Sequence, residues 1–167
     1  MAVLPIVRFP EPSLTQPTRP VERITPAIDQ LIGDLIDTMR HHQRCVGLSA
    51  PQVGSPWRVA VLDVTGHPKA AHSSGLMVLV NPQLMAQGGP AIGREGCLSV
   101  PDLTGNVRRT PRVQLRAMDV RGKPWMRRLE GFEAIAAQHE VDHLDGKLFL
   151  DHVANFKADV FQRKTYR

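Results

Sequence analysis

Gly131-Phe132-Glu133-Ala134-Ile135-Ala136-Ala137-Gln138-His139-Glu140-Val141-Asp142-His143-Leu144 is the stretch around which the rest of the chain organises. Its alanine run favours helix, and Gly146 stands where the residue just past a helix end belongs. Ile135, Ala136, Ala137, Val141 and Leu144 are apolar, so the helix is expected to be buried. Two His residues at i and i+4 lie one turn apart on one face, and both imidazoles can reach a single metal ion. Glu140, beside the first of them, can accept a proton from a water that a divalent cation has acidified. Buried imidazole and carboxylate groups need partners, and a metal supplies them.

Upstream, Arg58–Val64, Leu76–Pro82, Val113–Val120 and Pro124–Leu129 are rich in Val, Leu and Met and are separated by Gly, Pro, Ser and Asn clusters, the pattern of strands. Asp119-Val120-Arg121-Gly122-Lys123 reads as a hairpin loop between the last two. Thr25-Pro26 makes a helix start, and Ile28, Leu31, Ile32, Leu35, Ile36 and Met39 form one apolar stripe to about His41. Phe9 to Pro26 is Pro-rich and is expected to run extended over the core. The tail from Asp151 to Arg167 is expected to add a short helix. The class is therefore α+β: antiparallel β-sheets packed around a central metal-binding helix, with an N-terminal amphipathic helix. Residues 1–167 are expected to form a single catalytic domain.

Composition excludes several classes. The chain is 42% apolar and 22% charged, which is ordinary for a globular protein. No run approaches the roughly 18 to 20 apolar residues of a membrane span. Met1–Pro10 is broken by Pro5, Arg8 and Pro10 and does not read as a signal peptide. With Cys45 and Cys97 alone there is no disulfide framework, so a reducing cytoplasm is expected. The formal charge of +5 raises the question of nucleic acid. Its local enrichments, Arg108–Arg116 and Arg121–Arg128, alternate charged with apolar residues as solvated strand faces do, so no specific nucleic-acid surface is expected.

Two His ligands leave a catalytic site incomplete, because such sites usually have three protein ligands and a water. Other His, the acids and the two Cys all compete for the third place. Cys97, in Glu95-Gly96-Cys97-Leu98-Ser99 and just before Val100-Pro101, sits in a strand-edge context from which a thiolate can enter a cleft. A zinc peptidase would take its third ligand downstream, where Asp145, Asp151 and His152 are available. Helix spacing alone does not choose between these hydrolases.

Three segments together resemble the peptide deformylase family: Cys45-Val46-Gly47-Leu48-Ser49-Ala50-Pro51-Gln52, Glu95-Gly96-Cys97-Leu98-Ser99, and Gln138-His139-Glu140-Val141-Asp142-His143. The resemblance runs from about Leu4 to Phe149. It implies that Cys97, His139 and His143 bind a divalent metal, characteristically Fe(II), with Zn, Ni or Co able to substitute. It further implies that Glu140 is the general acid/base, and that Gln52 and the Leu98 backbone N–H polarise the formyl oxygen. Gly47 then lies beside the bound peptide, and Glu95 supports the ligands. The implied reaction removes the formyl group from the N-terminal formylmethionine of nascent polypeptides, with attack by metal-bound water and release of formate. Ile135 and Ala136, at i−4 and i−3 from His139, fall on the metal side of the helix; a methionine subsite and core packing account for them equally well. Some relatives dock on the ribosome through a C-terminal helix, and the tail after Leu150 is short for that. Cys45 and Ser49 stand where the family usually has Gly and Ala, and Thr104 where many relatives carry Arg. Arg109 and Asp142 are expected to pair and brace the metal helix. A catalytically silent binding paralogue is disfavoured because all six positions (Gln52, Cys97, Leu98, His139, Glu140, His143) are intact.

Overall fold

The structure is a computed structural model that describes residues 2–164; Met1 and positions 165–167, which end the two terminal stretches considered above, lie outside it. In chain order the main elements are α1 (Pro26–His41), β1 (Gly47–Ser49), β2 (Val59–Leu62), β3 (Met77–Ala86), β4 (Ala91–Cys97), β5 (Val100–Arg109), β6 (Arg112–Met118), β7 (Pro124–Glu130), α2 (Gly131–Leu144) and β8 (Val160–Gln162). A five-stranded sheet has the order β1-β2-β3-β6-β7, and a three-stranded sheet has the order β4-β5-β8. All the ladders are antiparallel, and the fold is α+β.

Strand β2 explains how the larger sheet holds the helices. Its sequence Val-Ala-Val-Leu is apolar throughout and all four residues are buried, as a strand covered on both faces requires. Val59 and Val61 pack in one cluster with Ile32 and Leu35 of α1. Ala60 and Leu62 pack in another with Ala134, Ala137 and Leu144 of α2. Burying each such large aliphatic side chain contributes about 1.5–3 kcal/mol, and truncating Leu62 to Ala should cost about 2–5 kcal/mol by opening a cavity between β2 and α2.

Thr25 caps α1 by accepting the Ile28 N–H at 3.3 Å. That helix buries Ile28, Ile32, Leu35, Thr38 and Met39, with Leu31 and Ile36 half-buried at the edges of the stripe. Helix α2 is covered on most of its circumference, burying Glu133, Ala134, Ala136, Ala137, Glu140, Val141, His143 and Leu144. The Gln138 amide fastens it to the β5–β6 turn, donating to the Thr110 carbonyl at 2.7 Å and accepting the Thr110 N–H at 3.1 Å. Gly146 ends it at φ +74°, and a Cβ there would lie 2.8 Å from the Gln16 carbonyl carbon, so only glycine fits. The N-terminal segment wraps the core through Val7 N–H to Gln52 O (2.8 Å), Phe9 N–H to Ser99 O (2.9 Å) and Thr18 N–H to Leu144 O (2.9 Å).

Strands β2, β3, β6 and β7 occupy the four apolar runs, with β3 continuing to Ala86. Strands β4 and β5 fall outside those runs, because Ala91–Cys97 is polar, contains two glycines and is mostly exposed. The tail forms the expected short helix, one turn at Phe156–Asp159, and then β8, which pairs with β5. In β6 exposed Arg112 and Arg116 alternate with buried Val113, Leu115 and Ala117, the solvated strand face that the charge pattern suggested. Among the described residues no helix is long and apolar enough to cross a membrane.

Candidate active site

Helix α2 and strand β4 meet at their chemically richest points. Cys97 Sγ lies 3.2 Å from His143 Nε2. Ligand atoms of Cys97, His139 and His143 all fall within 4.8 Å of one another. The β4–β5 register shifts between Gly96 and Cys97, which re-aims the Cys97 side chain out of the ladder and towards α2. Glu140 is buried beside them, and its Oε2 has no partner among the described residues. A soft thiolate, two imidazoles and an unpaired buried carboxylate oxygen fit a divalent transition metal with a polar ligand at its side. The downstream acids and His that a zinc peptidase would use are engaged elsewhere: Asp145 pairs with Arg58 (2.7 Å), Asp151 accepts the Leu148 N–H (2.8 Å), and His152 lies 2.9 Å from Asp142.

Behind Cys97, His139 and His143 sits a buried network of charged side chains. His139 Nδ1 is 3.0 Å from Glu95 Oε2, which leaves Nε2 as the nitrogen turned to Cys97. Arg109 holds Glu95 with both ends of its fork, Nε to Oε1 at 2.9 Å and Nη2 to Oε2 at 3.0 Å, and its Nη1 also donates to Asp142. Arg109 therefore ties β4 to α2 and fixes the orientation of the His139 imidazole through Glu95. Burial opposes ionisation of Glu95, but the hydrogen bonds from His139 and Arg109 prevail and bring it down to about 2. Burial likewise opposes a Cys97 thiolate, yet the His143 charge and the contacts from both imidazoles hold this thiol well below its ordinary range. His139 moves the other way: burial disfavours its charge, and its contacts with Cys97 and Glu95 raise it well above normal. Glu140 is pushed up to about 7 by burial, with the His139 and His143 charges pulling it back.

The remaining residues singled out from the sequence surround one cavity of about 460 Å³: Gly47, Gln52, Leu98, Ile135 and Ala136 line it with Cys97, His139 and Glu140. Buried His143 stands behind that wall. A Cβ on Gly47 would come 2.5 Å from Glu140 Oε1, so this glycine is what lets the carboxylate approach the backbone. Gln52 is pinned: its Oε1 accepts both the N–H and the hydroxyl of Ser49 at 3.0 Å, leaving Nε2 to face Cys97 Sγ and Ser99 Oγ at 3.4 Å. Ser49 is thus a positioning residue, a role its small size hid in the sequence. Cys45 places its thiol 3.1 Å from the Gly47 carbonyl oxygen. Burial and the neighbouring Glu140 push that thiol up to about 12, which makes it inert at neutral pH. Positive φ in this loop falls on Arg44 (+63°), one residue before Cys45, so the replacement of Gly by Cys45 brings no left-handed strain. Arg94, Arg163 and Lys164 also line the cavity mouth, and nothing in the local sequence marked them.

Comparison with known proteins agrees with this geometry. A family model described as polypeptide deformylase matches residues 3–159. A peptide deformylase of Alkalilimnicola ehrlichii is 40% identical over 164 residues, covering 98% of this chain and 89% of that protein. A peptide deformylase structure from Legionella pneumophila superposes with a TM-score of 0.84 at 38% identity, over 93% of this chain and 89% of the other. A class I type b peptide deformylase from Acinetobacter baumannii with bound Met-Ala-Ser gives 0.83 at 34% identity, over 90% and 99%.

Proposed function

The chain belongs to the peptide deformylase family, and from that premise we propose how its residues divide the work of removing the formyl group from the N-terminus of nascent polypeptides. Membership implies a divalent metal and formylated peptide substrates. We assign ligation to Cys97 Sγ, His139 Nε2 and His143 Nε2, with Fe(II) as the physiological ion and Zn, Ni or Co as substitutes. Bound there, the cation supplies Lewis acidity that polarises the formyl C=O and acidifies water.

Glu140 Oε2 takes the proton of the attacking water and passes it to the amine nitrogen as the C–N bond breaks. One C–O bond forms, one C–N bond is lost, and formate leaves a free α-amine. Gln52 Nε2 and the Leu98 N–H donate to the formyl oxygen as negative charge develops on it. Because Ser49 holds the other end of the amide, Gln52 presents its donor without reorganising. Gly47 lets the substrate backbone lie against the wall beside Glu140, and Ile135 and Ala136 receive the methionine side chain. Met-Ala-Ser bound to the A. baumannii relative supports a methionine-first peptide in this cavity. We place the enzyme in the cytoplasm as one catalytic domain acting on chains as they leave the ribosome, with transient ribosome contact.

The observation that carries the reading is the convergence of Cys97, His139 and His143 beside the unpartnered Oε2 of buried Glu140. Anaerobic purification with metal analysis, followed by a formate-release assay on formyl-Met-Ala-Ser, tests it. One metal per chain and stoichiometric formate are expected. Cleavage of internal peptide bonds without formate would sink the assignment in favour of a peptidase.

A further inference from the structure

Five cations, Arg44, Lys69, Arg94, Arg163 and Lys164, line the mouth of the cavity. All five are exposed, and among the described residues none makes an ion pair. The acids lining the same cavity, Glu95 and Glu140, are turned inward, one locked to Arg109 and His139 and the other buried beside the ligands. The rim is therefore uniformly basic over a floor whose acids are already committed. Its field is felt by His67, which burial and then the Lys69 and Arg44 charges hold below its usual range.

Two of these cations are built into the three-stranded sheet rather than left to wander. Gly96, Thr104 and Phe161 stand in register across β4, β5 and β8; Arg94, two residues before Gly96, and Arg163, two residues after Phe161 and just past β8, flank that row from opposite ends on the same face. Arg94 is held by Nε to Asn106 Oδ1 at 2.9 Å, by Nη1 to Thr104 Oγ1 at 3.3 Å, and by the Phe161 ring 3.7 Å beneath its guanidinium. All three partners are neutral, so its charge is oriented but not compensated. Arg163, fixed by its N–H to the Asp102 carbonyl at 2.8 Å, lays its guanidinium over bare Gly96, in the space a Cβ would fill. Gly96 is the immediate neighbour of Cys97, about 3.8 Å away along the chain. A peptide whose first residue reacts beside Cys97 advances about 3.3 Å per extended residue, so its next few side chains pass this pair.

We propose that Arg94 and Arg163 form an anion-recognising rim that favours formylated peptides with Asp or Glu shortly after the methionine. The inference rests on the deformylase reading of the cavity. A thread-like anionic peptide fits cations that line one cavity better than a nucleic-acid duplex does, because a duplex needs its cations spread over an extended face. Exposed ion pairs are individually weak, so two of them supply about a five- to tenfold preference, carried in KM.

The test uses metal-loaded full-length enzyme and C-terminally amidated peptides, which carry no free carboxylate: formyl-Met-Ala-Glu-Asp-amide against its neutral isostere formyl-Met-Ala-Gln-Asn-amide. At low ionic strength kcat/KM is expected to be about five- to tenfold higher for the acidic peptide, falling towards parity at about 0.3 M salt. Arg163→Gln and Arg94→Gln should each cut that ratio by about half or more, through KM, while Arg116→Gln on β6 leaves it unaltered. Equal rates for the two peptides on the wild-type enzyme overturn the proposal. So does salt-sensitive inhibition by an RNA oligonucleotide without any preference between peptides, which would assign the rim to nucleic acid. Absence of formate from both peptides would instead overturn the deformylase reading itself.

Discussion

The two halves of the candidate metal centre are built by opposite means. Helix α2 supplies His139, Glu140 and His143 from five consecutive residues, and helical periodicity alone puts the two imidazoles on one face. The sheet half, Glu95 and Cys97 on β4 with Arg109 on β5, exists only when two strands pair in one register and a shift at Gly96/Cys97 turns the thiol towards the helix. The helix half is local and set by geometry within one turn. The sheet half is non-local and depends on the Arg109 fork to keep it in place. On the proposed reading the helix carries the acid/base and two of the ligands, while the sheet carries the third ligand and the buried charges that hold His139 in place.

That division is open to direct attack. Glu140→Ala strikes the helix half: bound metal should be retained while kcat falls on the order of 10³-fold, read by metal analysis beside formate release. Arg109→Ala strikes the sheet half. It removes the fork that holds buried Glu95 and leaves that carboxylate to His139 alone, so stability should drop by about 3–5 kcal/mol in urea unfolding, and metal affinity by about 10- to 100-fold. If Arg109→Ala spared both, the sheet half would be self-sufficient and the contrast wrong.

The same contrast predicts how metal-free protein responds to acid. Glu95 ionises at about 2 when folded, against an ordinary value of 4.5, so its stabilisation is fully present above about pH 4.5 and is lost as pH falls from there towards 2. The shift corresponds to about 3 kcal/mol, measurable as a falling urea midpoint that Glu95→Gln flattens. Activity should follow Glu140 instead. With burial pushing it up to about 7, kcat/KM is lost as pH drops through that value, or through a lower one once a bound cation favours the carboxylate. Smallest of all is Ser49→Ala, which removes one of the two donors on Gln52 Oε1 and should lower kcat by about two- to fivefold without moving the metal.

Legibility in the sequence tracks the same line. The bounds of α2, its two imidazoles and Glu140 follow from spacing, and the apolar flanks Ile135, Ala136 and Val141 announce its burial. The runs that became β2, β3, β6 and β7 are apolar enough to read as strands. Cys97 needed the motif around it, because a lone cysteine is as often a small buried hydrophobe. Strands β4 and β5 were hidden because their residues are polar and glycine-containing, and a strand held by its partner shows little propensity of its own. Arg163 was hidden for a deeper reason: it lies 67 positions from Gly96 (163 minus 96), and only the β5–β8 ladder brings them together.

By itself, then, the sequence determined the helix, the spacing of its two imidazoles, the apolar strands and the family to which the motifs belong, since all of these follow from periods of two and 3.6 residues or from short motifs. The tertiary structure alone decided how the Cys97 thiol is brought to the two imidazoles, which buried charges steady them, and which cations ring the opening. Those depend on strand register and on packing between segments far apart in the chain, quantities that local periodicity does not encode.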